Sequence, residues 1–327
     1  MKKFSVLLAS SLALTLGLGL ATAPDANAYL VYGPGYTEPE ISDPHCTLTA
    51  KDPYPVVLIH GTWASTQKWK YLAPALRRAG MCVWGLNFGY DPDAYFYKYQ
   101  KGQYGTGSVE SSIKEIDAYV KKVMKKTGAK KVNVVSHSLG GLLVKIWLNQ
   151  YKANRYVNNA VLITPTLHGT DMRGIGRIGV HSYPLLPDVL AFVMSKPAAY
   201  QLYDSPTIAY ANSLPDTMPG VNYVSLMTKD DQTATPYTTG MMKPGPGAGR
   251  VQNVVIQDVC RVDHEMTHSG IVEDPIARPV IIRGLRAQTA NCKGTPWAVP
   301  DGYVGASHVG EDNGFKGDAD SSDEVIR

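Results

Sequence analysis

Residues 132–141 read VNVVSHSLGG. A β-branched run with few polar breaks gives way to a short serine-containing turn, and an apolar segment at helical spacing follows through residue 151. That order spells a buried strand, a sharp turn and a helix, with Ser138 at the apex. Such a turn is strained, so the residues beside it must be small. Ser136 and Gly140, two positions to either side of Ser138, meet that need. Ser138 would project above the carboxyl end of a sheet, at the positive end of the following helix. A hydroxyl placed there can attack a carbonyl, and the Leu139 N–H can hold the resulting oxyanion.

Working outward, PVVLIH at 55–60 is a second buried strand, and 66–79 carries Trp69, Leu72, Ala73, Leu76 and Ala79 at helical spacing before Gly80. Residues 82–86 form another strand. Ser108 caps a helix with apolar positions Ile113, Ile116, Val120 and Val123, four lysines in its last turns and Gly128 as its stop. Further strands are expected at 160–164, 223–227 and 254–257, and a last helix at about 275–287. Strands alternating with helices predict an α/β protein, with a mostly parallel central sheet and helices on both faces. The stretch 170–215 breaks the alternation and is expected to be a lid-like insertion. Residues 242–250, MKPGPGAGR, are expected to be a flexible loop.

Serine needs a base, and the base needs an acid. With the nucleophile first, the acid should follow a later strand and the histidine the strand after that. His168 comes too early, His181 lies in the insertion and His308 in the tail. His264 and His268 remain, both after strand 254–257. The strand at 223–227 leads to Asp230 and Asp231, while Asp258 and Asp263 are too close to the histidines to act as a separate arm. Spacing leaves both choices open. The second oxyanion donor is expected from His60-Gly61-Thr62-Trp63, where Gly61 lets the backbone pass close to substrate and the Thr62 N–H faces it. The Thr62 hydroxyl is a candidate third donor, and His60 a structural hydrogen-bonding residue.

Both termini read as something other than fold. Lys2 and Lys3, an apolar run from Phe4 to about Ala21 and Ala26-Asn27-Ala28 make residues 1–28 a secretory signal. Residues 299–327 hold seven acids and two bases among glycines and serines, and are expected to be a disordered acidic tail. Residues 29–298 are left as the catalytic domain. No other stretch nears the ~20 apolar residues of a membrane span. In the exported compartment the four cysteines are expected to form Cys46–Cys82 and Cys260–Cys292, each pair flanking one compact run of elements. Apart from His264 and His268, no C-x-x-C or H-x-x-x-H lies near a cysteine, so no metal is expected, and a serine nucleophile with its base and acid requires no organic cofactor. The formal charge of +4 on 327 residues argues against a nucleic-acid binder. The acidic tail masks charge, since without it and the leader the body is about +8.

On PVVLIHGTW at 55–63, VVSHSLGG at 134–141, LHGT at 167–170, DQTATPY at 231–237 and NVVIQDVC…H at 253–268, the sequence resembles the α/β-hydrolase superfamily. Within it, the sequence is similar to secreted actinobacterial triacylglycerol lipases and esterases of the lipase class 2 group. That resemblance implies an α/β-hydrolase fold. It implies Asp231 as the acid, the first residue of the segment ending in Pro-Tyr. It implies His268 as the base, eight residues after the cysteine, and it supports the same cysteine pairing. Ser136 departs from the usual G-x-S-x-G, at a position that asks only for a small residue.

The expected activity is extracellular hydrolysis of carboxylic esters through an acyl-enzyme on Ser138, with lipids as substrates and possible work at a lipid–water interface. Short-chain carboxylesters, polyesters or a cell-envelope lipid are alternatives, as is acyl transfer by the same triad. Trp63, Leu185, Leu186, Val189, Leu190, Phe192 and Val193 either line an acyl site or pack a helix onto the body. A non-catalytic binding protein would lack a triad member, and candidates for all three are present.

Overall fold

In the computed structural model of the protein, residues 41–91, 102–172 and 196–293 are described. The expected leader, the expected tail, His181, His308 and the apolar run 185–193 lie outside them. Six strands form one all-parallel sheet in the order β2-β1-β3-β4-β5-β6. They are β1 (Val56–Ile59), β2 (Val83–Leu86), β3 (Val132–His137), β4 (Val157–Ile163), β5 (Asn222–Met227) and β6 (Val251–Val255). The helices are α1 (Leu72–Arg78), α2 (Val109–Thr127), α3 (Leu139–Gln150), α4 (Lys196–Tyr200), α5 (Pro206–Ser213), α6 (Ile256–Val259), α7 (Gly270–Glu273) and α8 (Ala277–Leu285).

Alternation along the strands divides the interior into two cores. Val57, Ile59, Val132, Val134, Ala160 and Leu162 face α2 and α3, whose Ile113, Ile116, Val120, Leu142, Leu143 and Trp147 complete that core. Val56, Leu58, Val135, Val161, Ile163 and Val224 face the other way, onto Trp69, Leu72 and Leu76 and onto Val280, Ile281 and Leu285 of α8. Burial on both faces is why these strands read as continuous apolar runs. α2 begins where Ser108 Oγ accepts the Ser111 N–H at 3.1 Å and ends at Gly128, φ 70°.

Three expected elements differ. The helix expected at 66–79 is a 3₁₀ turn at Thr66–Trp69 followed by α1, because the Ser65 side chain caps only the short turn and the chain restarts at Leu72. The strand expected at 254–257 lies earlier: β6 ends at Val255, and residues 256–259 close a helical turn with Cys260 N–H bonded to Ile256 C=O at 2.9 Å. Within the stretch 170–215, residues 196–213 carry the two short helices α4 and α5, the latter capped by Ser205. Residues 242–250 lack regular structure, yet they are pinned by Gly245 N–H to Thr217 Oγ1 at 2.7 Å and Lys243 N–H to Asp216 at 2.8 Å. Disulfides join Cys46 to Cys82 and Cys260 to Cys292. Among the described residues no helix is long and apolar enough to cross a membrane, and no group of three or more His, Cys, Asp or Glu could hold a metal ion.

Candidate active site

β3 delivers Ser138 to the carboxyl edge of the sheet with φ 54° and ψ −124°, a backbone conformation that costs a non-glycine residue about 1–3 kcal/mol. The turn is held from both sides: Ser138 N–H bonds the Ile163 carbonyl at 3.0 Å, and Gly141 N–H bonds the Ser138 carbonyl at 2.9 Å. Close packing explains the glycines. A Cβ on Gly140 would lie 2.6 Å from the His60 and Ile59 carbonyl oxygens, and one on Gly61 would lie 2.9 Å from Ser138 Cβ. The loop after β1 therefore runs directly against the serine turn. Thr62 and Leu139 sit on these two facing segments, and among the described residues neither backbone N–H has a hydrogen-bond acceptor.

The loops after β5 and β6 bring the acid and base candidates together selectively. His268 Nδ1 meets both oxygens of Asp231, at 2.8 and 3.0 Å. Asp231 Oδ1 also accepts the Thr233 and Ala234 N–H groups, at 2.8 and 2.7 Å, which fixes its carboxylate. Among the described residues His268 Nε2 has no partner. Asp230 turns away from both histidines: it accepts the Met266 N–H at 2.9 Å and the Gln257 amide at 3.0 Å, tying the two loops together. His264 is claimed at both nitrogens, by Asp274 at 2.7 Å and Asp263 at 3.1 Å. Burial opposes charging His264, but the two carboxylates prevail and raise its pKa above the usual value. Ser138 Oγ and His268 Nε2 are not hydrogen-bonded to each other, and bonds of this kind often tighten only when substrate is held.

Several residues that frame this arrangement carry no sequence signal of their own. His137, one residue before Ser138, donates Nε2–H to the His268 carbonyl at 3.0 Å, and Thr164 Oγ1 bonds the same carbonyl at 3.3 Å. The His137 and His268 rings lie 4.8 Å apart. Complete burial, and then the neighbouring His268, hold the His137 pKa well below its usual value, so it serves as a neutral hydrogen-bond donor. Gln232 accepts the His268 N–H at 3.2 Å. Gln201, just beyond α4, donates to Thr62 Oγ1 at 2.9 Å and to the Pro197 carbonyl at 2.9 Å, while its own carbonyl accepts from Thr166 Oγ1 at 2.8 Å. His60 is structural: Nδ1 donates to the Gly61 carbonyl at 2.8 Å, the ring stacks on Phe88, and burial lowers its pKa to about 4.

A parallel six-stranded sheet, a serine on a strained strand-to-helix turn after β3, and an Asp–His pair on the loops after the last two strands together define an architecture. The family profile described as the α/β hydrolase fold matches residues 54–192, which include that turn. The chain has the α/β-hydrolase fold. Among solved structures it resembles Aspergillus fumigatus lipase B, at 18% identity and a TM-score of 0.57 over 77% of this chain. The chain spans 58% of that lipase's length. Bacillus licheniformis lipase BlEst2 in its mature form aligns at 16% identity over 71% of this chain and 91% of that one, with a TM-score of 0.40. A Paleococcus ferrophilus monoacylglycerol lipase aligns at 18% identity over 63% of this chain and 87% of that one, with a TM-score of 0.40. No curated protein matches the chain in sequence.

Proposed function

We propose that the chain is an exported serine hydrolase of carboxylic esters, a triacylglycerol lipase of the lipase class 2 group. Ser138 attacks the ester carbonyl while His268 Nε2 takes its proton. Asp231 fixes the Nδ1–H tautomer and stabilises the imidazolium. The Thr62 and Leu139 N–H groups receive the oxyanion, each such donor being typically worth ~3 kcal/mol. His268 then returns the proton to the departing alcohol and activates the water that releases the acid. The observation that carries this reading is the conjunction of Ser138's strained backbone with a histidine whose outer nitrogen is free and whose inner one is held by a fixed carboxylate. Export is supported by the amino-terminal pattern and fits the two disulfides.

Ser138→Ala protein, folded by circular dichroism, should lose p-nitrophenyl butyrate hydrolysis by a factor on the order of 10⁴ or more and lose labelling by a fluorophosphonate probe. Retention of most activity would overturn the assignment. Rates on p-nitrophenyl esters from C2 to C16, with and without an oil–water interface, test the substrate class. Preference for the shortest chains without interfacial gain would make it a carboxylesterase instead.

A further inference from the structure

Between Asp117 and Asp171 the chain has nine lysines and arginines and no acid. Lys145 turns inward onto Asp216 at 2.7 Å, with side-chain exposures of 1% and 5%. The other eight, Lys121, Lys122, Lys125, Lys126, Lys130, Lys131, Lys152 and Arg155, stay at the surface, Lys131 only half-exposed. The fold gathers them. They occupy the last turns of α2, its link to β3, and the 3₁₀ turn Ala153–Arg155 that leads into β4. Lys121 Nζ and the Arg155 guanidinium lie 5.9 and 4.6 Å from the centre of the Tyr156 ring. Val132 N–H bonds the Tyr156 carbonyl at 2.7 Å, which brings Lys131 to the same place.

Among the described residues one neighbouring acid, Asp117, offsets one member of this group, Lys121. Asp117 pairs with Lys121 at 2.6 Å, Asp52 with Arg286 at 2.9 Å, and Asp216 is committed inside. Because β3 separates Lys131 from Ser138, the basic end and the candidate site lie at opposite ends of the sheet, roughly 20 Å apart at ~3.3 Å per residue. The site end is acidic by contrast: residues 256–274 hold five acids and one arginine.

We propose that the amino end of the sheet is a docking surface for a linear, phosphate-bearing polyanion, which holds the protein while Ser138 faces away from it. Phosphate fits a cluster in which seven of the eight cations are lysines, because lysine binds phosphate as a compact point charge without planar bidentate geometry. A polymer is favoured over a bilayer because, among the described residues, the exposed large apolar side chains, Tyr71, Tyr210 and Met241, lie outside this segment. A cluster of this kind, with seven cations beside the paired Lys121, binds by releasing counterions, and such binding falls steeply with salt.

The test is anisotropy of fluorescent inorganic polyphosphate titrated with the full chain, beside co-sedimentation with phosphatidylglycerol and phosphatidylcholine vesicles. Wild-type affinity for polyphosphate should fall at least ~tenfold between 50 and 200 mM salt. Lys125→Glu/Lys130→Glu/Arg155→Glu should weaken it at least ~30-fold, with ester hydrolysis unchanged and the melting temperature lowered by no more than a few degrees. Lys70→Glu/Lys243→Glu/Lys293→Glu makes the same charge change elsewhere and should stay within about threefold. Should the first triple variant not fold, Lys125→Gln and Arg155→Gln tested singly should each weaken binding about threefold. Polyphosphate binding indifferent to these substitutions, or binding to anionic vesicles alone, would overturn the proposal. Because binding is read directly, this result is independent of whether Ser138 is the nucleophile.

Discussion

His264 and His268 lie four residues apart on the loop after β6, and each meets a buried aspartate, Asp274 at 2.7 Å and Asp231 at 2.8 Å. The pairs differ in what remains free. Both nitrogens of His264 are engaged by carboxylates, which suits a charged imidazolium acting as a clamp. His268 gives only Nδ1 to Asp231, and its backbone carbonyl is gripped by His137, the residue before Ser138. A histidine–aspartate contact therefore does not by itself mark a base. A base needs an uncommitted nitrogen and a place beside the nucleophile.

The sharpest way to break this contrast is to remove each ring. His268→Ala should lower kcat for p-nitrophenyl butyrate on the order of 10⁴–10⁶-fold, as removal of a triad base does. His264→Ala should keep kcat within about fivefold, since a clamp acts only through loop stability. Equal losses would mean that the two pairs work as one. The acids sharpen the same point. Asp231→Asn should lower kcat about 10⁴-fold at nearly unchanged melting temperature, because the imidazole is held in the wrong tautomer. Asp274→Asn should keep most of kcat and lose about 1–2 kcal/mol of stability in denaturant titration, as loss of a charge-assisted hydrogen bond does.

The sequence carries the serine turn, the succession of strands and helices along the chain and the candidate loops because each rests on local chemistry. VNVVSHSLGG shows both the strand and the turn, and the apolar runs show burial on two faces. Spacing alone could not separate Asp230 from Asp231 or His264 from His268. Neighbouring residues on one loop point in different directions, and only tertiary hydrogen bonds such as Met266 N–H to Asp230 decide which. The end of β6 was misread for a similar reason: Ile256 is as apolar as a strand residue, yet it is buried from within a helical turn. Gln201 was illegible altogether. A glutamine in an irregular stretch acquires meaning only when the fold sets it against Thr62, 139 residues away.

That contact tests how far positioning reaches beyond the Asp–His pair. Gln201→Leu should lower kcat about tenfold with KM little changed, because Thr62 loses the bond that orients its side chain beside the proposed oxyanion site. In a Thr62→Val background the same substitution should have a much smaller effect, as coupled residues do in a double-mutant cycle. Additive losses would make Gln201 a mere packing residue.

The smallest effect lies in pH dependence, where the buried His60 and the half-buried His264 have opposite signs. His60, at about 4, stays neutral in the folded chain while the unfolded chain takes up a proton below 6.5. Between those values the unfolded state binds more protons, so His60 removes stability as pH falls, up to roughly 3 kcal/mol at the acid limit. His264 is raised by Asp263 and Asp274 against the effect of its burial, so its folded form holds the proton longer. Its contribution is complete below 6.5 and is lost as pH rises through the folded pKa. Melting temperatures of wild type and His264→Gln should therefore differ by roughly 2–4 °C at pH 5–6, for about 1 kcal/mol, and converge in alkali. A gap that widened with pH would mean that His264 is neutral in the fold, and the contrast with His268 would then rest on position alone.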